Sequence, residues 1–194
     1  MKKRAVFLDR DGTLSVDSAY PSRYEEISVY PESYEAVKRL NRAGLLAVVV
    51  TNQSAVGRGL LTEAALKEIH VRLSDSFAGR EARLDAIYSC PHYALSADPR
   101  YNKDCGCRKP KPGLALRAAA DLGIDLAGSY MVGDKPEDII FGMNIGATPV
   151  LVLTGCGREA LAALREQGIW PAHVAENILQ AAAWILERER RQGP

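Results

Sequence analysis

A hydrophobic run long enough to cross a membrane is missing from this sequence. The longest aliphatic run covers residues 45–50, whereas a membrane-spanning helix needs about 20 apolar residues. The basic residues 2–4 precede an apolar stretch that ends at Asp9, shorter than the apolar core of a secretory signal, about 7 residues or more. The sequence therefore predicts a soluble protein of the cytoplasm.

The sequence also has little net charge. Its 25 Lys and Arg residues nearly balance its 24 Asp and Glu residues, leaving +1, so nothing indicates the basic face of a nucleic-acid or membrane-surface protein. Hydrophobic residues at 47% and charged residues at 25% are typical of globular proteins. We therefore expect residues 1–194 to form a single monomeric domain whose partner is a small molecule.

Short apolar segments alternate with segments of helical period along the whole chain. We expect strands at residues 4–8, 46–51, 84–89, 129–133 and 148–153, and helices at 33–43, 62–76, 114–122, 137–145, 158–167 and 176–190. This alternation predicts an α/β, doubly wound, Rossmann-like parallel sheet with helices on both faces. Such folds bind ligands at the carboxyl ends of their strands, so the polar residues that follow each strand are the candidates for function.

Polar side chains follow four of the predicted strands. Asp9 and Asp11 follow the first, Thr51 ends the second, Cys90 and His92 follow the third, and Asp134 follows the fourth. Asp and Asn favour turns, which would explain any one of these residues alone. A turn preference does not explain two aspartates at positions i and i+2 with a third on another strand, so we favour a functional site.

Three carboxylates held together repel one another unless a cation joins them. Oxygen ligands with room for water suit Mg²⁺, and a magnesium ion beside an exposed carboxylate suggests phosphoryl chemistry. One aspartate can then accept the phosphoryl group covalently. Asp11, two residues beyond Asp9, is placed to protonate the leaving alkoxide and later to activate water.

The order of these motifs resembles that of the haloacid dehalogenase (HAD) superfamily. The resemblance covers residues 5–138 and rests on four motifs in register, which are Asp9-x-Asp11-Gly12-Thr13, Thr51, Lys109 and Gly133-Asp134-x-x-x-Asp138. It implies the strand order five-four-one-two-three. An acid at the second position of Asp-x-Asp favours a phosphatase over a dehalogenase, because an alkoxide leaving group needs a proton.

The resemblance also implies the roles of the site residues. Asp9 would be the nucleophile and Asp11 the general acid/base, while Thr51 and Lys109 would hold the transferred phosphoryl group. Magnesium would be bound by Asp9, by the main-chain carbonyl of Asp11, and by Asp134.

Three of the four cysteines lie close together in the sequence. Cys90-x-His92 and Cys105-x-Cys107 supply three thiolates and one imidazole, which make a tetrahedral zinc set. Core cysteines would need apolar neighbours, which the polar segment between the pairs does not supply, and a redox pair at 105 and 107 would leave Cys90 and His92 unexplained. We therefore predict structural zinc in a loop over residues 90–109.

The zinc pattern ends directly before Arg108 and Lys109. A closed zinc site would hold both cations in place beside a phosphate. The chain has no room for a separate cap domain, so we expect an open, capless site covered by loops such as residues 17–24.

Together the zinc loop and the phosphoryl motifs are similar to those of one HAD branch, the zinc-containing D-glycero-D-manno-heptose 1,7-bisphosphate 7-phosphatases and the related histidinol-phosphate phosphatases. The resemblance implies removal of the sugar 7-phosphate in the synthesis of lipopolysaccharide precursors. It also implies a substrate site formed by Arg108, Lys135, Asp17, Ser18, Ala19, Tyr20, Asn52, Gln53 and Ser54. Two alternatives remain open, a histidinol-phosphate phosphatase and a zinc-stabilised binding module without catalysis.

Overall fold

The computed structural model describes residues 2–192 and contains one six-stranded parallel sheet. The strands are β1 (Ala5–Leu8), β2 (Leu46–Asn52), β3 (Ala86–Cys90), β4 (Tyr130–Gly133), β5 (Thr148–Val152) and β6 (His173–Ala175). The helices are α1 (Pro31–Arg42), α2 (Ser54–Gly57), α3 (Glu63–Ala78), α4 (Gly113–Leu122), α5 (Pro136–Asn144), α6 (Gly157–Glu166) and α7 (Ile178–Gln192). A 3₁₀ turn covers Tyr24–Glu26.

The strand order is β3-β2-β1-β4-β5-β6. It contains the expected order five-four-one-two-three and adds β6 beside β5, where Val150 is in register with His173. The order reverses between β2 and β4, the two neighbours of β1. Ligand sites of doubly wound sheets lie at such a reversal, and Asp9 follows β1 at this point.

Side chains of the central strands alternate between two apolar cores. Val6 and Leu8 of β1 pack into the core that includes α1 and α7, while Ala5 and Phe7 pack into the core that includes α4. Burying a side chain of this size stabilises the fold by roughly 1.5–3 kcal/mol. Both faces of β1 are therefore buried, and only its carboxyl end is available to a ligand.

The structure confirms the doubly wound fold and the five predicted strands, with ends that shift by one or two residues. The strand β6 was not predicted from the sequence, because its three residues are too short a pattern to detect. The last helix begins at Ile178, later than the expected residue 176, since the Asn177 side chain accepts a hydrogen bond from the Gln180 amide and caps the helix. None of the helices between residues 2 and 192 is long and apolar enough to span a membrane.

Candidate active site

Three buried aspartates meet at the carboxyl end of the sheet. Asp9 follows β1, Asp134 follows β4, and Asp138 lies in the first turn of α5. All three are buried, and each offers a carboxylate oxygen within 4.8 Å of the others. The cluster brings together residues separated by more than a hundred positions in the chain.

Lys109 is the cation of this cluster. Its Nζ donates to Asp9 Oδ1 at 2.7 Å and to Asp138 Oδ1 at 2.6 Å, and the side chain is almost completely buried. Burial opposes the charged form, but the carboxylates of Asp138 and Asp9 outweigh it and raise the pKa of Lys109. Between residues 2 and 192, Lys109 is the only side-chain cation hydrogen-bonded to these carboxylates, and Lys135 adds a more distant positive charge.

The excess negative charge changes how the aspartates ionise. Burial, followed by repulsion from Asp9 and Asp138, raises the pKa of Asp134 to about 7. Burial and repulsion from Asp9 likewise raise the pKa of Asp138, against the opposing charge of Lys109. An all-oxygen donor set with excess negative charge fits a hard divalent cation such as Mg²⁺.

Gly12 lets the first loop approach the carboxylates closely. Its φ is +91°, a backbone conformation that residues other than glycine rarely adopt. A Cβ at this position would lie 2.1 Å from Asp134 Oδ2. Thr13 Oγ1 and the Cys156 amide donate to the two oxygens of Asp134, at 3.2 and 2.9 Å. The position of Asp134 is therefore set by two loops as well as by its own strand.

Asp11 is held by Arg10 and Gln53. Arg10 donates to both oxygens of Asp11, from Nε at 2.9 Å and from Nη2 at 2.8 Å. Gln53 Nε2 donates to Asp11 Oδ2 at 2.9 Å and to Thr51 Oγ1 at 2.8 Å. This network joins the predicted acid/base to the predicted phosphoryl-binding hydroxyl.

A cavity of about 290 Å³ opens onto these residues. Its wall contains most of the side chains predicted for the site, namely Asp9, Asp11, Asp17, Ala19, Tyr20, Thr51, Asn52, Gln53, Ser54, Arg108, Lys109 and Lys135. Ser18 is not part of this wall, since its hydroxyl donates to the Glu26 carbonyl. Asp134 is fully buried and is not part of this wall.

Two cations lie at the mouth of the cavity. Lys135 Nζ donates to Asp17 Oδ2 at 2.9 Å, and although burial favours the neutral amine, this bond to Asp17 raises the pKa of Lys135. Arg108 is exposed and donates to the His92 carbonyl at 3.3 Å. The ion pair of Lys135 joins the covering loop at Asp17 to the end of β4.

Asn52 holds the backbone that carries the buried lysine. Its amide donates to the Lys109 carbonyl at 3.2 Å and its Oδ1 accepts from the Lys109 amide at 3.0 Å. Although Asn52 was predicted to line the substrate site, it also fastens the end of β2 to the zinc loop.

The four predicted zinc ligands converge beside the cavity. His92 Nδ1 lies 3.2 Å from Cys107 Sγ, and Cys90 Sγ lies 3.1 Å from Cys107 Sγ and 3.5 Å from Cys105 Sγ. Tetrahedral zinc with bonds of about 2.0–2.3 Å separates its ligand atoms by roughly 3.5 Å. The hydrogen bond between Cys90 and Cys107 lowers the pKa of Cys107 to about 5. The donor set and its spacing fit zinc.

The expectation that these cysteines have no apolar neighbours was wrong. Cys90 is fully buried in the core beneath α4, and Cys105 and Cys107 pack against the same core. Their convergence with His92, and not a polar surrounding, is what separates them from ordinary core cysteines.

Sequence reasoning missed two functional candidates. Asp138 lies in the quoted motif but was given no role, although its position four residues beyond Asp134 in the first turn of a helix was a usable signal. Arg10 gave no signal, because an arginine between two aspartates is expected to be exposed to solvent. In the structure only 1% of its surface is exposed.

The fold and this site define a class of enzyme. A HAD-hydrolase-like family model matches residues 106–181, which contain Lys109, Asp134 and Asp138. The structure of a D,D-heptose 1,7-bisphosphate phosphatase from B. bronchiseptica, complexed with magnesium and phosphate, aligns with a TM-score of 0.83 at 35% identity. The alignment covers 96% of this chain and 99% of that chain. The chain has the architecture of a HAD-like hydrolase.

Two curated relatives identify the family within the HAD-like hydrolases. D-glycero-beta-D-manno-heptose-1,7-bisphosphate 7-phosphatase of Pasteurella multocida is 43% identical over 154 residues, which cover 79% of this chain and 83% of the relative. The enzyme of the same name from Escherichia coli K12 is 43% identical, over 78% of this chain and 80% of the relative. The chain belongs to the D-glycero-D-manno-heptose 1,7-bisphosphate 7-phosphatase family.

Proposed function

We propose that the chain is a capless phosphatase that removes the 7-phosphate of D-glycero-D-manno-heptose 1,7-bisphosphate through an aspartyl-phosphate intermediate. The contact of Lys109 with Asp9 at 2.7 Å, beside two further buried carboxylates, carries this proposal. The names of the relatives, at 43% identity, support the choice of substrate.

Asp9 is proposed as the nucleophile. One of its oxygens attacks phosphorus while the bond from phosphorus to the leaving oxygen breaks, and Asp11 gives that oxygen its proton. Water then attacks the phosphoryl group on Asp9, and Asp11 accepts a proton from the water. The inorganic phosphate and the alcohol leave, and Asp9 returns as a carboxylate.

Lys109 and Thr51 are proposed to hold the phosphoryl group. Lys109 is fixed by Asp138 and by the backbone contacts of Asn52. A preorganised cation in a buried site stabilises the charge that develops on the transferring group. Asp138 is therefore proposed as the counter-ion that holds Lys109 in place.

The two donor clusters would hold the proposed cofactors. Magnesium would be held by Asp9, the carbonyl of Asp11 and Asp134, and it would neutralise charge on the phosphoryl oxygens. Zinc would be held by Cys90, His92, Cys105 and Cys107 and would be structural, keeping Arg108 and Lys109 in register with the cavity.

The choice of a bisphosphate rests on the cations at the mouth. A substrate with a second phosphate needs a second anion site, and the planar guanidinium of Arg108 can bind two phosphate oxygens at once. Lys135 adds a further positive charge on the same cavity wall. Histidinol phosphate ends in a cationic amine, which these residues would repel.

The proposal is tested by comparing kcat/KM on heptose 1,7-bisphosphate and on histidinol phosphate. We expect the bisphosphate to be preferred at least about tenfold, and Arg108→Ala to reduce that preference by raising KM for the bisphosphate, since losing a charged hydrogen bond costs about 1.5–3 kcal/mol. Arg117→Ala, which changes an exposed arginine of α4, is the matched control. Equal efficiency on histidinol phosphate would assign the chain to histidine synthesis instead.

A further inference from the structure

Arg10 is a buried cation whose role the reaction scheme leaves open. Its side chain is 1% exposed although it lies between Asp9 and Asp11. Its carbonyl accepts from the Leu14 and Ser15 amides, both at 2.9 Å, so its backbone is also held in place. A buried guanidinium is costly unless it is paired, and its pairing partner here is the proposed acid/base.

The geometry of that pair leaves Asp11 little freedom. Nε and Nη2 of Arg10 bind one oxygen of Asp11 each, the paired arrangement that gives arginine–carboxylate contacts their directional specificity. Gln53 closes the arrangement, because its Oε1 accepts from Arg10 Nη2 at 2.9 Å while its Nε2 donates to Asp11 Oδ2. Three hydrogen bonds, two from Arg10 and one from Gln53, thus fix the orientation of the Asp11 carboxyl group.

Among the described residues, Asp11 Oδ1 accepts a single hydrogen bond, from Arg10 Nε, so one edge of the carboxyl group is free. Its side chain is 16% exposed and lines the cavity, so a transferable proton belongs on the edge that faces the substrate. The neighbouring His70 does not compete for Arg10 as a partner, because burial and the charge of Arg10 lower the pKa of His70 to about 3. His70 is neutral, and Asp11 is the sole anionic partner of Arg10 among residues 2–192.

We propose that Arg10 is a positioning residue for proton transfer, which aims the free edge of Asp11 at the oxygen of the leaving alcohol with Gln53 as its second support. The inference rests on the proposed phosphatase function. It has a specific consequence, because Arg10 matters in proportion to how much the leaving group needs a proton. An alkoxide needs that proton, whereas a nitrophenolate leaves without it.

The test measures kcat/KM, which reports the first phosphoryl transfer, on phenyl phosphates of graded leaving-group pKa and on a primary alkyl phosphate. Arg10→Lys keeps the charge and removes the paired contact. We expect a loss of about 100-fold on the alkyl phosphate, the size of a misplaced catalytic group, and a loss below about fivefold on p-nitrophenyl phosphate, where protonation adds little. Arg80→Lys, at an exposed arginine that stacks on Tyr34, is the matched control.

A double variant shows whether Arg10 acts through Asp11. In the Asp11→Asn background, Arg10→Lys should change the alkyl rate by less than about twofold, because the group it positions is already gone. If Arg10→Lys does not fold, Gln53→Met supplies the same test. We then expect the loss in kcat/KM to rise less steeply with the pKa of the leaving group. Binding of beryllium fluoride to Asp9 should be unchanged in each variant, since it needs no acid.

The outcomes separate the inference from the function on which it rests. An equal loss on alkyl and aryl phosphates, or additive effects of Arg10→Lys and Asp11→Asn, would overturn the positioning role. A wild-type chain that hydrolyses none of these phosphates would overturn the phosphatase function itself.

Discussion

Magnesium should stabilise this protein strongly at pH 8 and hardly at all at pH 5. The reason is the charge of the buried cluster of Asp9, Asp134 and Asp138, in which Lys109 pairs with Asp9 and Asp138 but not with Asp134. Burial and two neighbouring carboxylates raise the pKa of Asp134 from 3.8 to about 7. A raised acid pKa means that the folded protein holds the proton more tightly than the unfolded chain does.

The metal-free protein should therefore lose stability as the pH rises. Below pH 4 both states of Asp134 are protonated, and between pH 4 and 7 only the unfolded chain releases the proton. A difference of three pKa units corresponds to about 4 kcal/mol of unfolding free energy. Burial is the main cause that raises the pKa of Asp138 to about 6, so Asp138 also lowers the stability of the metal-free protein as the pH rises.

Magnesium binds the ionised cluster, so the stability that it adds depends on whether Asp134 has lost its proton. At 100 times the dissociation constant a ligand stabilises the fold by about 2.7 kcal/mol, which is a rise in melting temperature of about 5–10 °C for a chain of this size. At pH 5 only about one Asp134 in a hundred is ionised. The same magnesium concentration then matches the dissociation constant and adds about 0.4 kcal/mol, or about 1 °C.

The assay is thermal unfolding of chelator-treated protein at pH 5 and pH 8, with and without Mg²⁺. Because a chelator also removes zinc, zinc is restored before each measurement. Asp134→Asn should abolish the magnesium effect at both pH values and raise the stability of the metal-free protein at pH 8. Asp121→Asn, at an exposed aspartate of α4, should behave as the unmodified chain does. A magnesium effect of equal size at pH 5 and pH 8 would refute the reasoning.

Three further predictions concern single residues. Asp9→Asn should abolish turnover, by more than about 10⁴-fold, because an amide cannot serve as this nucleophile; near-normal hydrolysis by the variant would exclude the covalent mechanism. Cys107→Ser should lower zinc content from about one per chain and lower the activity while magnesium binding persists, as measured by metal analysis; a zinc-free wild-type preparation would contradict this. Gly12→Ala should weaken magnesium binding by at least about tenfold, since its Cβ would lie 2.1 Å from Asp134 Oδ2 and a lost carboxylate contact costs about 1.4 kcal/mol or more; calorimetry showing unchanged affinity would refute the close approach.

Much of this protein follows from its sequence, because its main signals are local. Alternating apolar strands and helices predict a parallel sheet, and the carboxyl ends of parallel strands meet at one edge. That rule alone brings Asp9, Thr51 and Asp134 to one place, where the structure puts them. The zinc set is local in the same way, since each pair of ligands has a fixed short spacing and one loop joins them.

The tertiary structure decided what depends on contacts between distant segments. Asp138 holds Lys109 from 29 positions away, and Asn52 fastens the same lysine from 57 positions away. Arg10 is buried, and its guanidinium pairs with Asp11 and with Gln53, which lies 43 positions away. Local patterns report the conformation of a segment and the face it buries. They do not report which buried charges become partners, because that follows from three-dimensional packing.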